Sequence, residues 1–156
     1  MEIRTAMPND SLLLSALCRD VQSLHAEHHP NVFRMPHGDD FAVAFFDEML
    51  AAPEVTIYIA EEDSRPMGYV VCRLDDRPEN VFTYANRFLF IDQISVRPEA
   101  QRKGIGTALL KQAEAYAREL GLSKIQLDSW DFNLDAHIFF EKNGYHKFNY
   151  RFWLNI

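Results

Sequence analysis

Cysteine is scarce in this sequence. Cys18 and Cys72 are the only two in 156 residues, far apart and in no metal or redox spacing. Reduced thiols and a cytoplasmic setting are therefore expected. Long hydrophobic runs are missing too. Nothing approaches the ~18 apolar residues of a membrane span, so no membrane association is expected. The opening MEIRTAMPND lacks the basic-then-apolar pattern of a secretory signal. Positive charge is in short supply, with Lys+Arg 16 against Asp+Glu 23 and a formal net charge of -7. That balance argues against non-specific nucleic-acid binding and is compatible with a cationic substrate. No repeat, low-complexity tract or linker interrupts the chain. It reads as a single domain over residues 1–156, large enough for a core of its own. At 47% hydrophobic and 25% charged residues, the composition is that of an ordinary soluble globular protein.

One stretch runs against the acidic background. Residues 88–96 are apolar, aromatic and β-branched, which suits a mostly buried strand. Pro98 has no N–H to donate and ends the ladder. Gln101, Arg102, Lys103, Gly104, Ile105 and Gly106 then lead into a helix. Its apolar face is Ile105, Leu109, Ala113, Tyr116 and Leu120. A helix start exposes N–H groups without intrahelical partners, at the positive end of the macrodipole. Glycines let an anion approach those groups, and Arg102 and Lys103 add charge. The pattern is a phosphate cradle. It is not a P-loop, because no Gly-Lys is followed by Ser or Thr. A dinucleotide fingerprint is weak, because Leu109 stands where a third small residue belongs.

The rest of the chain supplies alternating elements. Residues 2–6 read as a strand. A helix follows to about His28, with Leu13, Ala16, Leu17, Val21 and Leu24 on its apolar face, and Pro30 stops it. A second helix is expected over residues 39–52, with Phe41, Phe45 and Met49 on one face. Residues 55–60 and 67–74 read as a hairpin around a polar turn at 61–66. A loop covers 75–86. Beyond the central helix, Gly121 is the expected C-cap. Residues 124–129 form a strand, 133–143 a short helix, and 145–154 one or two last strands. The order βααβββαβαβ(β) indicates an α/β (α+β) fold with a three-layer core.

Two motifs carry a resemblance to a known family. Gln101-x-x-Gly104-x-Gly106, after a strand ending Val96-Arg97-Pro98, resembles the acyl-CoA motif of the GCN5-related N-acetyltransferase (GNAT) superfamily. Asn133, Ala136, Phe139, Lys142 and Gly144 are similar to that family's Asn-x-x-Ala-x-x-Phe-Tyr-x-Lys-x-Gly-Phe segment, with Tyr145 in place of the final Phe. The element order is similar to the GNAT fold over essentially the whole chain, which implies a central mixed, mostly antiparallel sheet flanked by helices. The resemblance implies acetyl-CoA as cosubstrate and no metal. It places the coenzyme A pyrophosphate on Gln101, Arg102, Lys103, Gly104, Ile105, Gly106 and Thr107. It places the pantetheine arm along Ile94, Ser95 and Val96, with Asn133, Ala136 and Phe140 lining it. An N–H near Ile94 would then polarise the thioester carbonyl.

The implied reaction is acetyl transfer to a primary amine, with a small molecule as first choice and a protein N-terminus or lysine as second. A non-catalytic acyl-CoA sensor is the reading of another class. It draws on Phe140, where the family often has a proton-donating Tyr. Tyr145 or a water are the substitutes for that acid. The amine must attack neutral, and Asp92 on the central strand is the candidate base, with a structural carboxylate as its alternative. His25, Phe33 and Arg34 are candidate acceptor contacts. His25 and His29 have a spacing that suits a metal, but no third ligand matches them. Phe148, Tyr150 and Phe152 alternate along the last strand; core packing is the reading, with a homodimer surface as the alternative.

Overall fold

The computed structural model describes residues 1–156. Its elements are β1 (Glu2–Thr5), α1 (Ser11–His28), α2 (Val43–Ala51), β2 (Val55–Glu62), β3 (Arg65–Arg77), β4 (Asn86–Val96), α3 (Ile105–Glu119), β5 (Ile125–Leu127) and α4 (Leu134–Lys142). The strands form one five-stranded sheet in sequence order. Pairing is antiparallel from β1 to β4, and β5 joins β4 in parallel. This is the expected mixed α/β architecture.

Side chains alternate across a strand, so the sheet feeds two cores. Val70, Cys72, Leu89 and Ile91 pack with Leu109, Leu110 and Ala113 of α3 and with Phe140 of α4. Ile57, Ile59, Tyr69 and Val71 pack on the opposite face with Leu14, Leu17 and Phe46 of α1 and α2. The hairpin turn falls at Asp63 and Ser64, with φ of 50° and 60°. Positive φ at both turn residues matches the twist of the flanking strands. The start of the chain is pinned by Arg4. Its guanidinium donates to both Asp10 carboxylate oxygens at 2.7 and 3.0 Å and to Glu61 at 2.9 Å. The Arg4 bonds hold the Asp10 carboxyl below its ordinary value, against the opposing effect of burial.

Three expectations need correction. The buried side of α1 is Leu14, Leu17 and Cys18 with Ser11 and Ser15, whereas Leu24 is exposed. Polar residues share that face because the fold satisfies them; the Ser15 hydroxyl accepts the Ala42 N–H at 3.0 Å. The second helix is shorter than expected, and Phe46 is its buried ring while Phe45 is 41% exposed. The last strands are absent. No backbone bond involves residues 146–156, and Phe148, Tyr150 and Phe152 are 66%, 70% and 94% exposed rather than core. Alternation suits a strand, but a strand also needs a partner for its backbone.

Candidate active site

The site begins with an irregularity in β4. Val71 stands opposite Gln93, yet Cys72 stands opposite Ile91, so Asp92 is an extra residue with no partner on β3. Such a bulge breaks the alternation once. Leu89 and Ile91 before it face α3, and so do Ile94 and Val96 after it. Asp92 and Gln93 therefore both face the α1 side. Asp92 accepts a hydrogen bond from Arg73 Nη1 at 2.9 Å. The same guanidinium lies 5.1 Å over the Phe90 ring. Gln93 Oε1 accepts from the Tyr69 hydroxyl at 2.7 Å and faces the Cys18 thiol at 3.7 Å. Burial pushes both the Tyr69 phenol and the Cys18 thiol up, which keeps them protonated as donors.

The other flank of β4 is open. β5 pairs only with Leu89, Phe90 and Ile91. Past that point β4 has no strand neighbour on the β5 side. Arg97 N donates to Met67 O across the β3 side at 2.8 Å. Val96 O, turned the other way, accepts from Gln101 Nε2 at 3.2 Å. Alternation along the strand turns the Ile94 N–H and C=O toward that same open flank, and the Ser95 backbone back toward β3. The Ser95 hydroxyl is buried and donates to Leu17 O at 3.3 Å.

The cradle closes this flank. A short 3-10 turn at Pro98–Ala100 leads to Gln101. Arg102 has φ 60° and Gly104 has φ 86°. Gly104 is the N-cap of α3 and has no side chain to turn inward, so the N–H groups of Ile105, Gly106 and Thr107 keep their hydrogens free. A left-handed conformation at Arg102 is uncommon outside glycine and is the kind of strain found at binding loops. Arg102 and Lys103 are exposed, and neither enters an ion pair. The turn offers backbone donors, a helix dipole and two cations outside any ion pair, a set of groups that suits a pyrophosphate.

Helix α4 is seated on the first turn of α3. A Cβ built on Gly106 would lie 2.9 Å from Phe139 Cζ. Asn133 caps α4, its Oδ1 accepting the Ala136 N–H at 3.2 Å. Ala136 is half-buried against the same core, and Phe140 is 8% exposed inside it. Tyr145 stacks edge-on to Phe140 with centroids 6.0 Å apart. Its hydroxyl is buried without a partner, and burial pushes it up to about 12. It packs against the core around α3 and α4.

On the far side, α1 and the loop before α4 meet through rings. His25 stacks on Phe33 at 4.9 Å and meets the edge of Phe132 at 5.7 Å. Phe33 in turn meets Trp130 at 4.9 Å, and His28 stacks on Phe132 at 4.2 Å. Burial, then the neighbouring His28 and His29, hold His25 below its ordinary value. Arg34 stands apart from this wall; it is exposed, and its carbonyl accepts from Gln22. No three His, Cys, Asp or Glu side chains converge as a metal set.

Several residues escaped sequence reasoning. Tyr69, Arg73 and Gln93 join the site only because the bulge turns Asp92 and Gln93 to one face, and one sequence carries no mark of it. Trp130 and Phe132 carried a usable signal, as aromatic residues directly before the capping Asn133.

The acetyltransferase (GNAT) family profile matches residues 19–145. YxbD of Bacillus subtilis, an uncharacterised protein, is 32% identical over 110 residues, which span 68% of this chain and 67% of YxbD. The type 1 aminoglycoside N(6')-acetyltransferase of Klebsiella aerogenes is 28% identical over 107 residues, 69% of this chain and 68% of that enzyme. Among solved structures, a tetramutant of the BH1408 protein of Bacillus halodurans superposes with a TM-score of 0.93 at 21% identity, covering 100% of each chain. At that identity the likeness speaks to the fold alone.

Proposed function

The chain belongs to the GNAT acetyltransferase family, and from that premise we propose that it moves an acetyl group from acetyl-CoA to the primary amine of a small molecule. The observation that carries the donor is the cradle: free N–H groups at Ile105, Gly106 and Thr107, reached through left-handed Arg102 and Gly104 and set beside the open flank of β4. Gln101, Arg102 and Lys103 complete the hold on the pyrophosphate. The open flank at Ile94 and Val96 offers backbone groups to the pantetheine amides, with Ser95 as spacer between them. Asn133, Ala136 and Phe140 line the arm from α4. All 156 residues act as one domain.

Bound acetyl-CoA supplies an acyl group already activated as a thioester. The chain's own residues do the rest. The Ile94 N–H donates to the oxygen on which negative charge develops. Asp92, turned to the α1 side by the bulge, accepts the proton of the incoming amine, and Arg73 fixes its orientation. Phe140 cannot donate a proton. A thiolate of pKa about 8.5 leaves tolerably as the anion, so the step proceeds without that acid. The aromatic wall of His25, Phe33, Trp130 and Phe132 bounds the acceptor, and Arg34 meets it only at the rim. An acetyltransferase relative acting on aminoglycosides favours a small-molecule acceptor.

Phe140 favours the second reading, a sensor that binds acyl-CoA without turnover. Thiol release from acetyl-CoA, measured with panels of small amines and of peptides, tests the proposal. Release that depends on a small amine is expected. Turnover with peptides alone would move the acceptor to proteins. Binding without any turnover would make the chain a sensor.

A further inference from the structure

His25, Phe33, Trp130 and Phe132 meet where α1 ends, and their rings alternate face and edge. His25 lies on Phe33 with 24° between the planes. Phe33 meets Trp130 at 79°, and His25 meets Phe132 at 74°. None of these rings is fully buried, so part of each is left to solvent. An aromatic face is negative and an edge positive. A wall that shows both can take a further ring, stacked or edge-on.

The wall stands beside the open flank of β4. Ile91 lies opposite Leu127 where β4 and β5 pair in parallel. The residues that follow leave the sheet together. Ile94 comes three positions past Ile91, and Trp130 three past Leu127. Trp130 and Phe132 are thereby brought to the level of Asp92 and Ile94. α1 supplies the other half of the wall. Its Leu17 and Cys18 meet Ser95 and Gln93 of β4, and His25 lies about two turns further along the helix.

The charges around the wall suit one ammonium rather than several. Burial, then the neighbouring His28 and His29, hold His25 below its ordinary value, so its ring is uncharged at neutral pH. Asp92 is already paired with Arg73. Glu27, Asp131 and Asp135 at the rim are exposed, Asp131 with 90% of its side chain in solvent. A polycationic sugar needs carboxylates held inside its site. Exposed ones are screened by water and salt and contribute little.

We propose that the acceptor is an amine with a single positive charge and an aromatic ring, the ring seated on Phe33, Trp130 and Phe132 and the amine directed to Asp92. This rests on the acetyltransfer reading above. What selects the acceptor is then ring against ring, and the reactive amine is its only cationic group.

The two tryptophans of the chain, Trp130 and Trp153, have ring centroids 6.0 Å apart. Indole fluorescence of the full chain therefore reads the wall without any turnover. Phenethylamine, cyclohexylethylamine and spermidine are the titrants; the first two share charge and approximate size and differ in aromaticity. Saturable quenching by phenethylamine is expected, about 10-fold or more tighter than by its cyclohexyl counterpart. Phe33→Leu keeps apolar volume and removes a π face. It should weaken phenethylamine about 3- to 10-fold and the cyclohexyl amine less than about 2-fold, with thermal unfolding as the check that the variant is folded. Thiol release from acetyl-CoA with the same amines is the second measurement, and kcat/KM should rank them in the same order with spermidine last. Equal affinity for the phenyl and cyclohexyl amines overturns the ring site, and so does spermidine as the best acceptor; either leaves acetyltransfer itself intact. Ring-selective quenching with no thiol release from any amine overturns the acceptor assignment together with the reading beneath it.

Discussion

Gly106→Ala probes how helices α3 and α4 are joined. Two effects oppose each other. Alanine is the better helix former, by up to about 1 kcal/mol. Its Cβ would lie 2.9 Å from Phe139 Cζ and 3.2 Å from Cε2, inside the normal contact distance. Overpacking of this kind costs about 1–3 kcal/mol. The clash wins, and a net loss of up to about 2 kcal/mol is expected, a fall in Tm of up to about 8 °C for a chain of this size. Phe139→Leu removes every ring atom the new Cβ would meet. On that background only the helix-forming effect remains, so Gly106→Ala should be neutral or stabilising. Urea unfolding of the four proteins gives the cycle, and the expected coupling is about 1–3 kcal/mol. Gly106→Ala costing the same on both backgrounds would refute the reasoning. Phe139 would then not be what makes glycine necessary.

Other outcomes follow from the same structure. Asp92→Asn should lower turnover by about 10²-fold, least at high pH where the amine is already neutral, and leave coenzyme binding unchanged; full activity across pH would remove Asp92 as base. Tyr145→Phe deletes a buried hydroxyl that has no partner, so thermal unfolding should show a gain of about 1 kcal/mol. Asp10 carries a depressed folded value from its ordinary 3.8, so its contribution is complete above the unfolded value and disappears as pH falls through the folded one. Acid titration of stability should therefore be steeper in the unaltered chain than in Arg4→Met, where the partner is gone; superimposable acid limbs would deny the coupling.

The legible parts of this chain were those with a local cause. The glycines at 104 and 106, the cations between strand and helix, and the period of α3 all act within a few residues, and the cradle was readable from them. The segment that begins at Asn133 was readable for the same reason. What was hidden depends on partners distant in sequence. The inward face of α1 could not be told from hydropathy, because Ser15 and Cys18 are buried through Ala42 and Gln93. Phe45 and Phe46 are chemically identical, and only the packing onto Tyr69 selects Phe46. Residues 145–154 have strand chemistry without a strand partner in their own chain. The placement of Asp92 on β4 was legible, but the turn of its side chain toward α1 was not.

The bulge in β4 also sorts residues by whether the sheet needs them. Suppose one residue is cut from the strand. Losing Ser95 would invert one end of the strand relative to the other, turning side chains of the α3 core toward the α1 core and the reverse. Losing Asp92 would not. Ile91, Gln93 and Ile94 would then alternate without a break, and the ladder opposite Val71 and Cys72 would become regular. Asp92 is thus surplus to the architecture, a letter that can be struck out with the word still readable. A shortened chain lacking only Asp92 should keep its fold and its Tyr69–Gln93 bond while its Arg73 loses its ion pair. That makes deletion, rather than substitution, the cleanest way to separate what this strand builds from what it does.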